Sequence, residues 1–220
     1  MTPLTAPLVG IESVRDAARG LRGVAARTPL LPAPWLSEAV GVEMRLKAES
    51  LQPIGAFKLR GAYTMVARLP EADRARGVIT YSSGNHAQAV AFAARAFGVP
   101  AVIVMPVTAP PIKIEGTRRL GGEVVLEGRT SEERKVLAER IRAERDLVMI
   151  PPFDHPDIIA GQGTVGLEIL EDWSDVETIL VPIGGGGLIS GVAVAVKAKT
   201  GTPGKRSRSA PSCRYSGRKS

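Results

Sequence analysis

VITYSSGNHAQAVAFAARAFGVPAVIVMP, residues 78 to 106, decides the architecture of this chain. VITYSS (78 to 83) is a short run rich in β-branched and aromatic residues, the composition of a strand. HAQAVAFAARAFG (86 to 98) repeats apolar residues at helical spacing and meets its stop at Gly98 and Pro100. AVIVMP (101 to 106) is a second uncharged run of strand length. Strand, helix, strand with no hairpin turn is a βαβ unit, whose strands run parallel because the helix carries the chain back across the sheet.

The alternation continues downstream. IKIEGTRRLGG (112 to 122) reads as a helix with a glycine stop, EVVLE (123 to 127) as a strand, SEERKVLAERIRAERD (131 to 146) as a charged helix with an exposed face, and LVMIPP (147 to 152) as a further strand. HPDIIAGQGTVGLEILEDW (155 to 173) is helical, TILVPI (178 to 183) is a buried strand, and GGGG (184 to 187) leads into the helix LISGVAVAVKA (188 to 198). Upstream, residues 24 to 50 predict an irregular opening with one short helix and one strand, followed by the helix FKLRGAYTMVARL (57 to 69). The class is α/β, with residues 77–150 expected as a smaller lobe within a larger one built from 1–76 and 151–198.

Composition narrows the function. The chain has 220 residues, 44% hydrophobic and 23% charged, which sets disordered and collagen-like classes aside. The start, MTPLTAPLVGIESVRDAARG, has no basic head leading into an apolar run, so a cytoplasmic location is expected. The long uncharged stretch Thr178 to Val196 contains Pro182 and four consecutive glycines, which argues for strand, loop and helix instead of a membrane span. One cysteine, Cys213, excludes an internal disulfide, and His86 and His155 have no zinc-ligand spacing, so no metal is assigned. The net charge of +7 lies wholly in residues 199 to 220, with seven basic residues and no acid; residues 1 to 198 balance 22 basic residues against 22 acids. No nucleic-acid or membrane partner is expected of a neutral body. The tail, 199–220, is rich in Gly, Ser, Pro and basic residues and is expected to be disordered. Salt-dependent binding of an anionic partner through that tail alone is a separate reading.

Two features carry chemistry. The glycine run at 184–187 lies between a strand and a helix, where backbone N–H groups and the helix N-terminus can cradle a phosphate. It fits neither common nucleotide motif: Ile189 or Ser190 falls where the third glycine of G-x-G-x-x-G belongs, and no G-K-[ST] is present. The second is Lys58 in GAFKLRG (55 to 61), one of 8 lysines against 21 arginines, set between Phe57 and Leu59 at a helix start. Such a lysine either snorkels its stem over apolar surface or is a desolvated amine suited to a Schiff base. A phosphate cup and a Schiff-base lysine together suggest pyridoxal phosphate, which has both an aldehyde and a phosphate.

SLQPIGAFKLRGAY, TYSSGNHAQAVAFAARAFGVPAVIVMP, IAGQGTVGLEI and PIGGGGLISG, in that order and spacing, resemble the threonine dehydratase and serine racemase family of fold-type II pyridoxal-phosphate enzymes. The resemblance covers about Thr28 to Lys197. It implies the tryptophan synthase beta-like architecture of two open, twisted, mainly parallel sheets with helices on both faces. It implies further that Lys58 carries the cofactor, that Phe57 packs beside its ring, and that Gly184, Gly185, Gly186, Gly187 and Leu188 form the phosphate cup. Ser82, Ser83, Gly84, Asn85 and His86 would clamp the substrate carboxylate, with Asn85 also near the ring hydroxyl, although SSGNH can also be read as a helix cap. For GQGT (161 to 164) two readings stand side by side: a loop near the cofactor, or a helix interruption capped by Thr164. His155 reads as a surface residue at a helix start.

The implied activity is β-elimination of water from threonine or serine, giving a 2-oxo acid and ammonia, in amino-acid metabolism and, for threonine, isoleucine biosynthesis. Lys58 and Ser83 are the implied catalytic residues. Ser83 resembles the opposite-face acid/base of the racemases, so serine racemisation and ammonia-lyase action on 3-hydroxyaspartate are the alternatives. Family members continue well past Ala198, whereas no acid follows Glu177 here. The expectation is a truncated or frameshifted C-terminus and an incomplete large domain, which leaves a non-catalytic fragment as another alternative and a homo-oligomer as the expectation for the complete enzyme.

Overall fold

The computed structural model describes residues 9–82, 84–200 and the strand 212–216. In chain order the elements are α1 (Ile11–Gly20), β1 (Leu30–Pro32), α2 (Pro34–Val40), β2 (Arg45–Lys47), a 3-10 turn (Glu49–Leu51), α3 (Lys58–Arg68), α4 (Glu71–Ala75), β3 (Val78–Tyr81) and α5 (Asn85–Phe97). They continue with β4 (Ala101–Met105), α6 (Pro111–Arg119), β5 (Glu123–Leu126), α7 (Ser131–Arg145), β6 (Val148–Met149), α8 (Pro156–Asp172), β7 (Thr178–Pro182), α9 (Gly187–Thr200) and β8 (Ser212–Ser216).

The βαβ reading of residues 78–106 becomes the centre of a four-stranded sheet, ordered β5-β4-β3-β6, in which every pairing is parallel. Val78 stands opposite Ala101 and Val148, and Val102 opposite Glu123. Alternate residues serve opposite faces, as the strand period requires. Ile79, Val102 and Val104 pack on Leu137, Ala138 and Ile141 of α7. Val78, Ile103 and Met105 pack on the alanine-rich side of α5 and on Ala62, Met65 and Val66 of α3. With both faces covered, the central strand β4 is apolar and buried throughout, which is why AVIVM reads as a continuous run in the sequence. Local signals end the helices: α5 stops at Gly98 in the left-handed region (φ 66°), and α7 begins with a capping box between Thr130 and Glu133.

A second apolar cluster joins α8, α9 and β7 through Val165, Ile169, Ile179, Val181, Val192 and Ala195. On the opposite face of β7, Leu180 is exposed. Three expectations are corrected. The opening segment holds two strands, β1 and β2, paired antiparallel with Leu31 opposite Leu46, because the turn through α2 brings a second extended run alongside the first. Within the stretch expected to be disordered, Ser212–Ser216 pairs parallel with β7. A strand edge with unpaired N–H and C=O groups accepts an extended segment whatever its side chains. The remaining tail residues, 201–211 and 217–220, lie outside the described residues.

The third correction concerns GQGT, which is neither a loop nor an interruption: α8 runs through it unbroken. The glycines are there for close approach on two sides. A Cβ on Gly161 would stand 2.5 Å from the Arg60 carbonyl of α3, and one on Gly163 would stand 2.8 Å from the Gly191 carbonyl of α9. Gly191 reciprocates, with its added Cβ 2.4 Å from the Gly163 nitrogen. Thr164 bonds back to the Gly161 carbonyl inside the helix and caps nothing. This tight contact seats α3, and with it Lys58, against α8.

Candidate active site

Lys58 is the first residue of α3, after a turn that holds Gly55 at φ 71°. Its ammonium donates to the Pro152 carbonyl at 2.5 Å and lies 5.5 Å from the centre of the Phe57 ring. Burial pushes its pKa below that of an ordinary lysine, and no carboxylate opposes the shift. Two residues on, Arg60 is wholly buried and fully paired. It reaches Glu49 with Nε and Nη2, both at 2.8 Å, and Glu168 with Nη1 at 2.6 Å. Lys47 adds a second cation to Glu168 at 2.6 Å, and Thr28 donates to Glu49. This network ties α3 to α8 and to the opening segment.

The glycine run follows β7, and α9 begins at Gly187 with Gly186 in the left-handed region at φ 88°. A Cβ at Gly184 or Gly186 would meet nothing within 4 Å, so the loop presents open backbone. At Gly185 a Cβ would collide with the Phe153 ring at 2.0 Å, and at Gly187 it would stand 3.0 Å from the Phe153 carbonyl. Consecutive residues of the β6–α8 connection therefore meet both sequence motifs: Pro152 holds the Lys58 amine, and Phe153 lies over the glycine run. Leu188 sits in the first turn of α9, partly buried against the cluster around β7.

The SSGNH loop joins the same place. Ser82 continues the ladder by donating to the Val104 carbonyl, and its hydroxyl accepts from the Gly84 N–H at 3.3 Å. Ser83 lies outside the described residues. Asn85 opens α5 with an exposed carboxamide that accepts from Lys113 of α6 at 2.8 Å. His86 is buried, and its Nε2 donates to the Ile150 carbonyl at 3.1 Å. Burial lowers the His86 pKa to about 3, against the Ile150 bond that raises it; the nearby Lys58 charge lowers it further. His86 and Lys58 thus bond to one segment at carbonyls two residues apart, Ile150 and Pro152. His155 caps α8 by accepting from the Asp157 N–H.

Lys58, Phe57, the glycine run and the α5 start are thus gathered around one connection. Sequence reading did not identify Pro152, Phe153 or Lys113, since a proline carbonyl, a lone phenylalanine and a helix lysine have no motif. A half-buried amine with lowered basicity beside a side-chain-free helix N-terminus fits an aldehyde joined to a phosphate.

Comparison with known proteins agrees with this chemistry. The family described as pyridoxal-phosphate dependent enzyme matches residues 21–208. An L-threonine ammonia-lyase of Thermotoga maritima is 52% identical over 190 residues, covering 86% of this chain and 47% of the relative. An L-threo-3-hydroxyaspartate ammonia-lyase of Saccharomyces cerevisiae is 42% identical over 184 residues, 84% of this chain and 56% of the relative. Among solved structures, maize serine racemase superposes with a TM-score of 0.85 at 42% identity, covering 87% of this chain and 58% of that one. The chain spans about half the length of these relatives.

Proposed function

Because the chain belongs to the pyridoxal-phosphate dependent enzyme family, we propose that it carries the catalytic centre of a threonine/serine ammonia-lyase, yielding a 2-oxo acid and ammonia. The observation that carries this reading is the Lys58 amine, desolvated and bonded to the Pro152 carbonyl, with the next residue, Phe153, packed on the glycine run. Lys58, Phe57, Asn85, Gly184 to Gly187 and Leu188 would hold the cofactor. The chemistry supplied by bound pyridoxal phosphate is withdrawal of electrons from the α-carbon of the amino acid.

The chain's own residues do the rest. The α5 N-terminus at Gly84, Asn85 and His86, with Ser82 and the Lys113 cation nearby, presents donors and positive charge to the substrate carboxylate. The Lys58 amine, its basicity lowered by burial, would take the α-proton of the substrate. The β-hydroxyl leaves as water, and the enamine hydrolyses to 2-oxobutanoate from threonine or pyruvate from serine. The 52% identity to the T. maritima L-threonine ammonia-lyase favours threonine; isoleucine biosynthesis, a cytoplasmic location and a homo-oligomer are proposed with it for the whole enzyme.

Borohydride reduction of the chain mixed with pyridoxal phosphate, followed by peptide mass mapping, tests the reading. A phosphopyridoxyl group on Lys58 alone is the expected result, and adducts scattered over surface lysines would refute it. A second reading, racemisation or hydroxyaspartate cleavage, is supported by the serine at position 83 together with the likeness to maize serine racemase and the yeast enzyme. Ser83→Ala would then abolish racemisation while sparing elimination; joint loss of both activities counts against that role.

A further inference from the structure

We propose that His86 is a positioning residue: through the Ile150 carbonyl its imidazole fixes the segment 150–153, whose Pro152 carbonyl holds the Lys58 amine and whose Phe153 ring covers Gly185. The inference rests on Lys58 being the reactive amine. It gives the His86 side chain a different task from the anion clamp, which falls to backbone N–H groups.

Two buried side chains converge on one oxygen. Thr80 of β3 donates to the Ile150 carbonyl at 2.7 Å, and His86 of α5 donates to it at 3.1 Å. Because a carbonyl only accepts, the proton sits on Nε2 and leaves Nδ1 as an acceptor. Nδ1 is buried without a partner among the described residues. Leaving a buried acceptor unpaired is unfavourable, so an apolar ring would serve better if the imidazole only filled space. The bond it makes is then the reason for its presence.

That bond can act at a distance because the next two residues are Pro151 and Pro152. Their rings fix φ, and neither has an N–H with which to anchor itself, so the path from Ile150 to Phe153 is stiff and depends on its ends. Anchoring the Ile150 carbonyl therefore places the Pro152 carbonyl at 2.5 Å from Lys58 Nζ, and Phe153 against Gly185. Four residues thereby connect β3, α5, α3 and the glycine run. The ionisable groups around the first turn of α3 are otherwise committed. His86 faces Lys58 from α5 as a neutral ring, while on α8 Glu168 is paired with Arg60 and Lys47, and Asp157 with Arg68.

The test is competitive labelling of the cofactor-free chain with trace acetic anhydride across pH, reading Lys58 by peptide mass. Lys58 is expected to titrate below an ordinary lysine. His86→Phe, which keeps the ring and removes the donor, lets water in and moves the midpoint up by about one unit, a tenfold change in reactive amine at fixed pH. His86→Gln, whose amide can donate to the same carbonyl, keeps the low midpoint. An unmoved midpoint in folded His86→Phe, or equal behaviour of the two variants, overturns the proposal. If circular dichroism shows His86→Phe unfolded, Thr80→Val decides: loss of the other donor must move the midpoint the same way, and no movement overturns it. Separate trapping with pyridoxal phosphate distinguishes the two readings. An adduct on Lys58 with an indifferent midpoint sinks the positioning role alone. A responsive midpoint without an adduct sinks the cofactor reading alone.

Discussion

Two cations stand two residues apart at the start of α3, and their surroundings differ in kind. On the Arg60 side every donor points to a committed acceptor: Glu49, Glu168, Thr164 or the Ala26 carbonyl. Burial disfavours the Arg60 charge, but its bonds to Glu49 and Glu168 more than offset that, and its pKa rises. On the Lys58 side the partner among the described residues is a neutral carbonyl, with no acid, and the pKa falls. The same helix turn thus carries a cation locked for structure and an amine left able to lose its proton. Paired charges order a fold, whereas an unpaired amine in partial desolvation is available for chemistry.

Substitutions can break that contrast, and the largest effect is expected at Lys58. Lys58→Ala should lower turnover by about 10³-fold, the scale of losing a positioned acid/base, while leaving the melting temperature close to that of the parent. Comparable loss of stability would mean that Lys58 is structural after all. Arg60→Met should do the reverse in stability, costing about 3–5 kcal/mol in denaturant unfolding because Glu49 and Glu168 lose their shared partner.

Acid separates the sides further. In the folded chain His86 binds its proton only near pH 3, against 6.5 for an ordinary histidine, so between those values the unfolded chain holds the extra proton. The stability that this group contributes is full above pH 6.5 and is lost as the pH falls below that value toward about 3. His86→Gln should flatten that part of the pH–stability profile.

Smaller effects are expected at the glycine run and at the anion end. Gly185→Ala forces its methyl into the Phe153 ring and should weaken pyridoxal phosphate binding about tenfold, with Gly185→Ala/Phe153→Ala recovering most of it. Equal weakening in the double variant would show that Phe153 is not the obstacle. If the cation beside Asn85 helps to bind the substrate carboxylate, as proposed, Lys113→Met should raise KM for the amino acid by several-fold to about tenfold with kcat little changed.

Sequence reading went furthest where local chemistry and tertiary role coincide. VITY and AVIVM became adjacent parallel strands because apolar runs on both sides of an alanine-rich helix have few other ways to be buried. It went astray at GQGT, where glycines usually taken for a break were instead the surface on which α3 and α9 approach α8. Nor did it identify α1, whose apolar side needed α8 and α9 to meet, or the two-stranded opening.

The sequence by itself determined the α/β class, the order of strands and helices from β3 to α9, and the presence of a lysine, a serine-rich helix start and a glycine run. Those follow from side-chain periodicity and from residue types with strong local preferences. Only the tertiary structure decided which groups those motifs face. Lys58 meets Pro152, 94 residues later, His86 meets Ile150, 64 residues later, and Arg60 meets Glu168, 108 residues later. Such partners are backbone carbonyls and ordinary acids with no local signature. Packing α3 against α5 and α8 brings them into contact, and that contact gives Lys58 a neutral carbonyl while Arg60 is held by two carboxylates.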